Sequence, residues 1–139
     1  MNPVFEKLTK FRIIPVIEIK NSKDSVTLGE ALIKGGLPVA EITYRTAAAE
    51  KSIKALKTKL PEIYIGAGTV LTIDQVKSAI DSGARFLVSP GFNPRIVDFC
   101  LDNNITIIPG INTPSDIEQA LERGLKHLKF FPAVASGGL

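Results

Sequence analysis

The chain is 139 residues long, 45% hydrophobic and 22% charged, which suits one globular domain with a real core and argues against disorder. Seventeen Lys and Arg against fourteen Asp and Glu leave a net charge of +3, spread without a basic block, so a nucleic-acid partner is not expected. One cysteine (Cys100) and one histidine (His127) exclude an internal disulfide framework and a Cys/His zinc site, and point to a reducing compartment.

At the N-terminus, Glu6, Lys7, Lys10 and Arg12 interrupt any apolar run. The run Ile13–Ile19 is too short for a signal core and holds Glu18, and no later stretch is long enough to span a membrane. The expected location is the cytosol. Ile13–Ile19 reads instead as a first strand. Ser22–Lys34 follows with Val26, Ala31, Leu32 and Ile33 on a helical face, closed by Gly35-Gly36. Val39–Tyr44 is the second strand, Lys51–Leu60 a helix with Ile53, Leu56 and Leu60 on one face, and Ile63–Ala67 the third strand. Thr72 with Gln75 reads as a capping box before the helix Ile73–Ile80, which Gly83 ends. Strand Phe86–Ser89, helix Ile96–Leu101 and strand Thr106–Pro109 come next. Thr113-Pro114 reads as an N-cap with proline at the first helical position, opening Ile117–Leu121; Gly124 closes it before the last strand, His127–Phe131.

Strands alternating with helices of this length mean βαβ units and a parallel sheet. Successive strands start at Ile13, Val39, Ile63, Phe86, Thr106 and His127, 20 to 26 residues apart with no long insertion. That even spacing predicts an α/β chain of the (β/α)₈ TIM-barrel type, which typically needs about 200–250 residues. Only about six βα units are present, so residues 1–139 read as a single incomplete barrel domain, the first three-quarters of one, ending in the loop Ser136-Gly137-Gly138-Leu139. An open six-stranded sheet is the alternative, and length alone slightly favours it.

A buried parallel strand is normally almost wholly apolar. Two strands here are not. Along Val39–Arg45, alternation sends Val39, Glu41, Thr43 and Arg45 one way and Ala40, Ile42 and Tyr44 the other. The apolar set suits a helix layer, so the polar set points into the barrel and climbs toward its C-terminal mouth, where barrel active sites lie. Along the last strand, His127, Lys129 and Phe131 share a side, opposite Leu128 and Phe130. Lys129 then points inward with no acid near it in sequence. A lysine taken out of water near another cation releases its proton more readily, and the free amine attacks carbonyls. Glu41, Arg45 and Lys129 would thus combine a base, an anion clamp and an amine. An ordinary ion pair between Lys129 and Glu41 at a strand end has even odds from alternation alone. Thr43 and Thr69 read equally as strand-end residues with satisfied hydroxyls, His127 as structural and Cys100 as core. Glu18 is a second inward candidate without an assigned role. Gly66-Ala67-Gly68-Thr69 is a glycine-rich strand-to-helix turn able to cradle an anion, though it lacks the dinucleotide and P-loop fingerprints. Ser89-Pro90-Gly91 and Pro109-Gly110 are further mouth loops that bring backbone toward a ligand or simply turn tightly. Carboxylates could still hold Mg²⁺ or Ca²⁺, but no DxDxDG-type loop is present.

Five motifs occur in order: Glu41-Ile42-Thr43-Tyr44-Arg45-Thr46, Gly66-Ala67-Gly68-Thr69-Val70-Leu71, Ser89-Pro90-Gly91, Pro109-Gly110-Ile111 and Lys129-Phe130-Phe131-Pro132-Ala133. Together, from about Ile13 onward, the chain resembles the bacterial 2-keto-3-deoxy-6-phosphogluconate/4-hydroxy-2-oxoglutarate aldolases. The resemblance implies a class I aldolase with no metal or cofactor on a (β/α)₈ barrel, usually a homotrimer, acting on a small 2-oxo acid. It places the Schiff-base lysine on Lys129, the acid/base glutamate on Glu41, and the carboxylate-binding pair on Arg45 and Thr69. Phe131 would shield the iminium, and Gly68 and Pro90 would line the substrate. The family's phosphate-binding loops follow the seventh and eighth strands, outside this chain. The runner-up is a 2-keto-3-deoxy-6-phosphogalactonate aldolase; the Thr-Tyr-Arg-Thr after Glu41 and the Phe-Phe-Pro-Ala after Lys129 favour the phosphogluconate type. A non-catalytic barrel fragment that self-associates is the reading from a different class. A phosphosugar isomerase or synthase comes third, because such a site needs no inward lysine flanked by aromatic residues.

Overall fold

The computed structural model describes residues 2–138, so Met1 and Leu139 of the expected 1–139 unit lie outside the described residues. Among the described residues seven short strands and six α-helices follow one another along the chain, alternating except where two strands are adjacent at residues 107–111, and every strand pair is parallel. The strands are β1 (Val16–Ile17), β2 (Val39–Thr43), β3 (Tyr64–Gly68), β4 (Phe86–Val88), β5 (Ile107–Ile108), β6 (Gly110–Ile111) and β7 (Lys129–Phe130). β1 to β5 form one sheet in sequence order, and β6 pairs with β7 in a second.

The expected fifth strand is divided at Pro109, which has no N–H to give to a ladder. Ile107 and Ile108 pair with β4, and Gly110 and Ile111 pair with β7, so one stretch of chain passes its pairing from one neighbour to the next. The Pro109 carbonyl still accepts from the Lys129 N–H at 2.9 Å.

The helices are α1 (Pro3–Phe11), α2 (Ser25–Lys34, after a 3-10 turn at Ser22–Asp24), α3 (Ala49–Lys59), α4 (Ile73–Ser82), α5 (Pro94–Asp102) and α6 (Pro114–Glu122). Their punctuation follows the sequence at most ends. Gly83 closes α4 with φ +108°, a left-handed conformation that glycine adopts without steric cost. Thr113 and Asp116 form a full capping box at α6. At α4 the box is only half made: Thr72 accepts from the Gln75 N–H, but the Gln75 side chain accepts from Leu71 one residue upstream.

Two cores lie on opposite faces of the strands. Outward, Ala40, Ile42, Ile65, Ala67, Leu87 and Ile107 pack against Ile53, Leu56, Val76, Ala79, Ile96 and Val97 of the helices. Each large side chain buried there contributes about 1.5–3 kcal/mol. Cys100 belongs to this layer, and burial pushes its thiol up to about 11, which makes it an inert core sulfur. Inward, Val39, Phe86 and Val88 meet Leu8, with Phe5, Phe11, Ile14 and Ile108 packed around them.

The inward core rests on an element that the sequence reading did not contain. α1 precedes the first strand, capped by the Asn2 side chain accepting from the Val4 N–H with Pro3 at its first position. Val4, Phe5, Leu8 and Phe11 form its apolar stripe, and this stripe covers the inner strand face from the end opposite the mouth.

Candidate active site

β2 places Glu41. Its neighbours along the strand, Ala40 and Ile42, are taken up by the helix layer, so the pleat turns Glu41 inward. The carboxyl is buried, with only 5% of the side chain exposed, and its Oε1 has no hydrogen-bond partner among the described residues. β7 brings Lys129 to it from the far sheet. Lys129 Nζ lies 3.7 Å from Glu41 Oε1, an ion pair too long to be a hydrogen bond. Burial raises the Glu41 carboxyl above its ordinary pKa of 4.5, and the Lys129 and Arg45 charges only partly offset it. The acid that sequence proximity did not supply to Lys129 therefore comes across space.

The remaining candidates surround this pair. Gly68 ends β3 directly against the Glu41 side chain. Thr69 follows it half-buried with φ +55°, a conformation rare for a β-branched residue and found where the surrounding structure holds it. Arg45 is exposed in the turn after β2, close enough for its charge to act on Glu41. The Phe131 ring centroid is 5.0 Å from Lys129 Nζ, a cation–π contact. Pro90 leans its carbonyl on Gly110, which is the register partner of Lys129. Lysine, glutamate, arginine, threonine and mouth loops thus follow one another around the end of the strands.

The other inward readings resolve by contact. Thr43 is buried and its hydroxyl donates to the Ile17 carbonyl at 3.1 Å. His127 stacks on Phe5 of α1 at 3.8 Å, away from the mouth. Glu18 shares the side of Glu41, because Val16 is its register partner, but it is exposed and joins no ion pair among the described residues. A cavity of about 670 Å³ runs from Glu41 and Lys129 down to α1, between Leu8, Arg12, Ile14, Val88, Ile108 and His127. Arg45, Gly68, Thr69, Pro90 and Phe131 do not line it and lie toward the mouth instead. Among the described residues no cluster of three or more His, Cys, Asp or Glu is arranged to hold a metal.

Two supports escaped the sequence reading. Asn112 donates to the Phe131 carbonyl at 3.1 Å and to Ser136 Oγ at 2.7 Å, fixing the turn just beyond Lys129. The Tyr44 hydroxyl lies 2.9 Å from Ser78 Oγ, which donates to Glu50 at 3.0 Å, anchoring the turn that carries Arg45 to α3 and α4. Asn112 stands next to the Thr113 N-cap and was overshadowed by it. The Tyr44 chain joins three distant segments and leaves no local signal.

The family model for KDPG and KHG aldolase matches residues 4–139. The chain belongs to this aldolase family. A 2-dehydro-3-deoxy-phosphogluconate aldolase of Haemophilus influenzae is 51% identical over 98% of this chain and 64% of its own length. Its counterpart in Treponema pallidum is 46% identical over 99% of this chain and 66% of its own. The KDPG aldolase of Legionella pneumophila, solved with pyruvate captured as a covalent carbinolamine, superposes with a TM-score of 0.87 at 42% identity, over 91% of this chain and 61% of that one. This family member therefore spans just under two thirds of the length of those curated relatives. Its fold is the expected α/β arrangement of the (β/α)₈-barrel type, with six strand positions occupied.

Proposed function

We propose that the chain carries the Schiff-base centre of a class I aldolase. It would cleave 2-keto-3-deoxy-6-phosphogluconate to pyruvate and glyceraldehyde 3-phosphate, 4-hydroxy-2-oxoglutarate to pyruvate and glyoxylate, or both. The observation that carries this reading is the buried Glu41 carboxyl 3.7 Å from the Lys129 amine, in a chain of this family. The carbinolamine captured in the Legionella pneumophila relative supports an amine attacking a 2-oxo acid.

In this reading the neutral Lys129 amine adds to the C2 ketone. Glu41 gives a proton to the departing hydroxyl, water leaves, and an iminium remains. The Glu41 carboxylate, directly or through a water, then takes the C4 hydroxyl proton as the C3–C4 bond breaks. The bond's electron pair moves into the iminium as an enamine, and the aldehyde departs. Protonation at C3 and hydrolysis release pyruvate and return the amine. A carboxyl whose pKa is raised by burial suits a group that must both give and take a proton near neutral pH. Arg45 holds the substrate carboxylate bidentately and Thr69 adds a hydrogen bond, with Gly68 and Pro90 supplying close backbone. Phe131 covers the iminium. The chain works without a cofactor, in the cytosol, as a homo-oligomer, the usual form in the family being a trimer.

Borohydride trapping with pyruvate, followed by intact mass and peptide mapping, tests the proposal. One reduced pyruvate adduct is expected, on Lys129. Lys129→Ala should give no adduct and lower aldol cleavage on the order of 10⁴-fold or more. An adduct elsewhere, or full cleavage by Lys129→Ala, would sink it.

A further inference from the structure

Glu41 is held where it is without a hydrogen bond. Among the described residues none donates to its carboxyl, Oε1 is buried, and the nearest charge is Lys129 Nζ at 3.7 Å. The opposite wall is Gly68. A Cβ built on Gly68 would stand 2.5 Å from Glu41 Cδ and 2.7 Å from Cγ, and would overlap Oε1. Gly68 needs no special backbone to explain it. It lies in the regular ladder opposite Thr43, its φ is not left-handed, and its carbonyl accepts from the Tyr44 N–H at 2.8 Å. A glycine weakens a strand interior, and one that uses no glycine-only conformation marks a close approach by another group. Here that group is the carboxyl.

We propose that Gly68 is a positioning residue: the space left by its missing side chain is the seat of the Glu41 carboxyl, so shape rather than hydrogen bonding aims that carboxyl at the Lys129 amine. The inference rests on the aldolase reading for its functional consequence and on geometry alone for the seat.

Gly68→Ala, Glu41→Asp and the double variant form the test. Gly68→Ala should lower the thermal midpoint and move the ¹³C titration of the Glu41 carboxyl, assigned by its loss in Glu41→Gln. Glu41→Asp withdraws the carboxyl by one methylene, so in the double variant the midpoint should recover. In turnover, Gly68→Ala should lose about 10²-fold in kcat, as for a displaced catalytic group, yet cost no more than about twofold when added to Glu41→Asp. An unchanged Glu41 titration in Gly68→Ala, or a midpoint loss that Glu41→Asp leaves in place, overturns the inference. If Gly68→Ala does not fold, folding restored by Glu41→Asp supports the seat and continued misfolding refutes it. Absence of a pyruvate adduct on the unsubstituted chain would remove the aldolase reading, while the midpoint and titration still decide on Gly68.

Discussion

Glu41 ionises in a place with little water, and its effect on stability has a definite sign. Because folding raises its pKa above 4.5, the folded chain binds that proton more tightly than the unfolded chain does. Stability from this group is therefore greatest below pH 4.5 and falls as pH rises from there toward the folded value. The fall is about 1.4 kcal/mol for each pH unit separating the two values. Glu41→Gln should remove that component of the slope, which urea unfolding at a series of pH values will show; an unchanged slope would mean that the burial is relieved by water. At this scale the sequence was informative about direction and silent about distance. Pleat alternation turned Glu41 and Lys129 to the same side. The ion pair between Glu41 and Lys129 was one of the two readings alternation left open, and nothing in the local sequence of either could fix its 3.7 Å separation or show that Gly68 would leave room for the carboxyl.

At the scale of elements, the strands were legible because each is apolar outward and bounded by glycine or proline, and the helices because Leu, Ile and Val recur at helical spacing. α1 was not, although Asn2-Pro3 is a start signal and Val4, Phe5, Leu8 and Phe11 fall on one face. Glu6, Lys7 and Lys10 break up its apolar residues in sequence, and it precedes the βα repeat without being part of it. Its importance lies in packing: Leu8 is 6% exposed and is the helix's buried contribution to the inner core beside Phe86 and Val88. Leu8→Ala is expected to cost about 2–5 kcal/mol, read from denaturant midpoints. A loss below about 0.5 kcal/mol would show that α1 only rests on the strands. The split of the fifth strand at Pro109 was likewise hidden, because a run of apolar residues does not say which neighbour each residue pairs with.

The described residues form two sheets joined by that split, with β1 and β7 at their outer edges. Among the described residues β1 pairs only with β2 and β7 only with β6. Val16, Phe130 and Val134 are among the large apolar side chains left exposed. No described helix is long and apolar enough to cross a membrane. The barrel type followed from the even strand spacing, whereas the hand-over at Pro109 divides the proposed catalytic pair between sheets: Glu41 stands on the five-stranded one and Lys129 on the two-stranded one. Proteins open in cooperative pieces of unequal stability, and β7, half-buried at Lys129 and exposed at Phe130 in a two-stranded sheet, should yield before the fully buried β4 inside the five-stranded one. In native-state hydrogen–deuterium exchange the Lys129 and Phe131 amides, bonded to Pro109 and Ile111, should lose protection well before those of Arg85 and Leu87, bonded to Ile65 and Thr106. Equal protection would instead make the two sheets one cooperative unit. With the expected order, the amine proposed to form the Schiff base is carried by the part of the molecule that detaches most readily, and its pairing with Glu41 can come apart and re-form while the larger sheet stays folded.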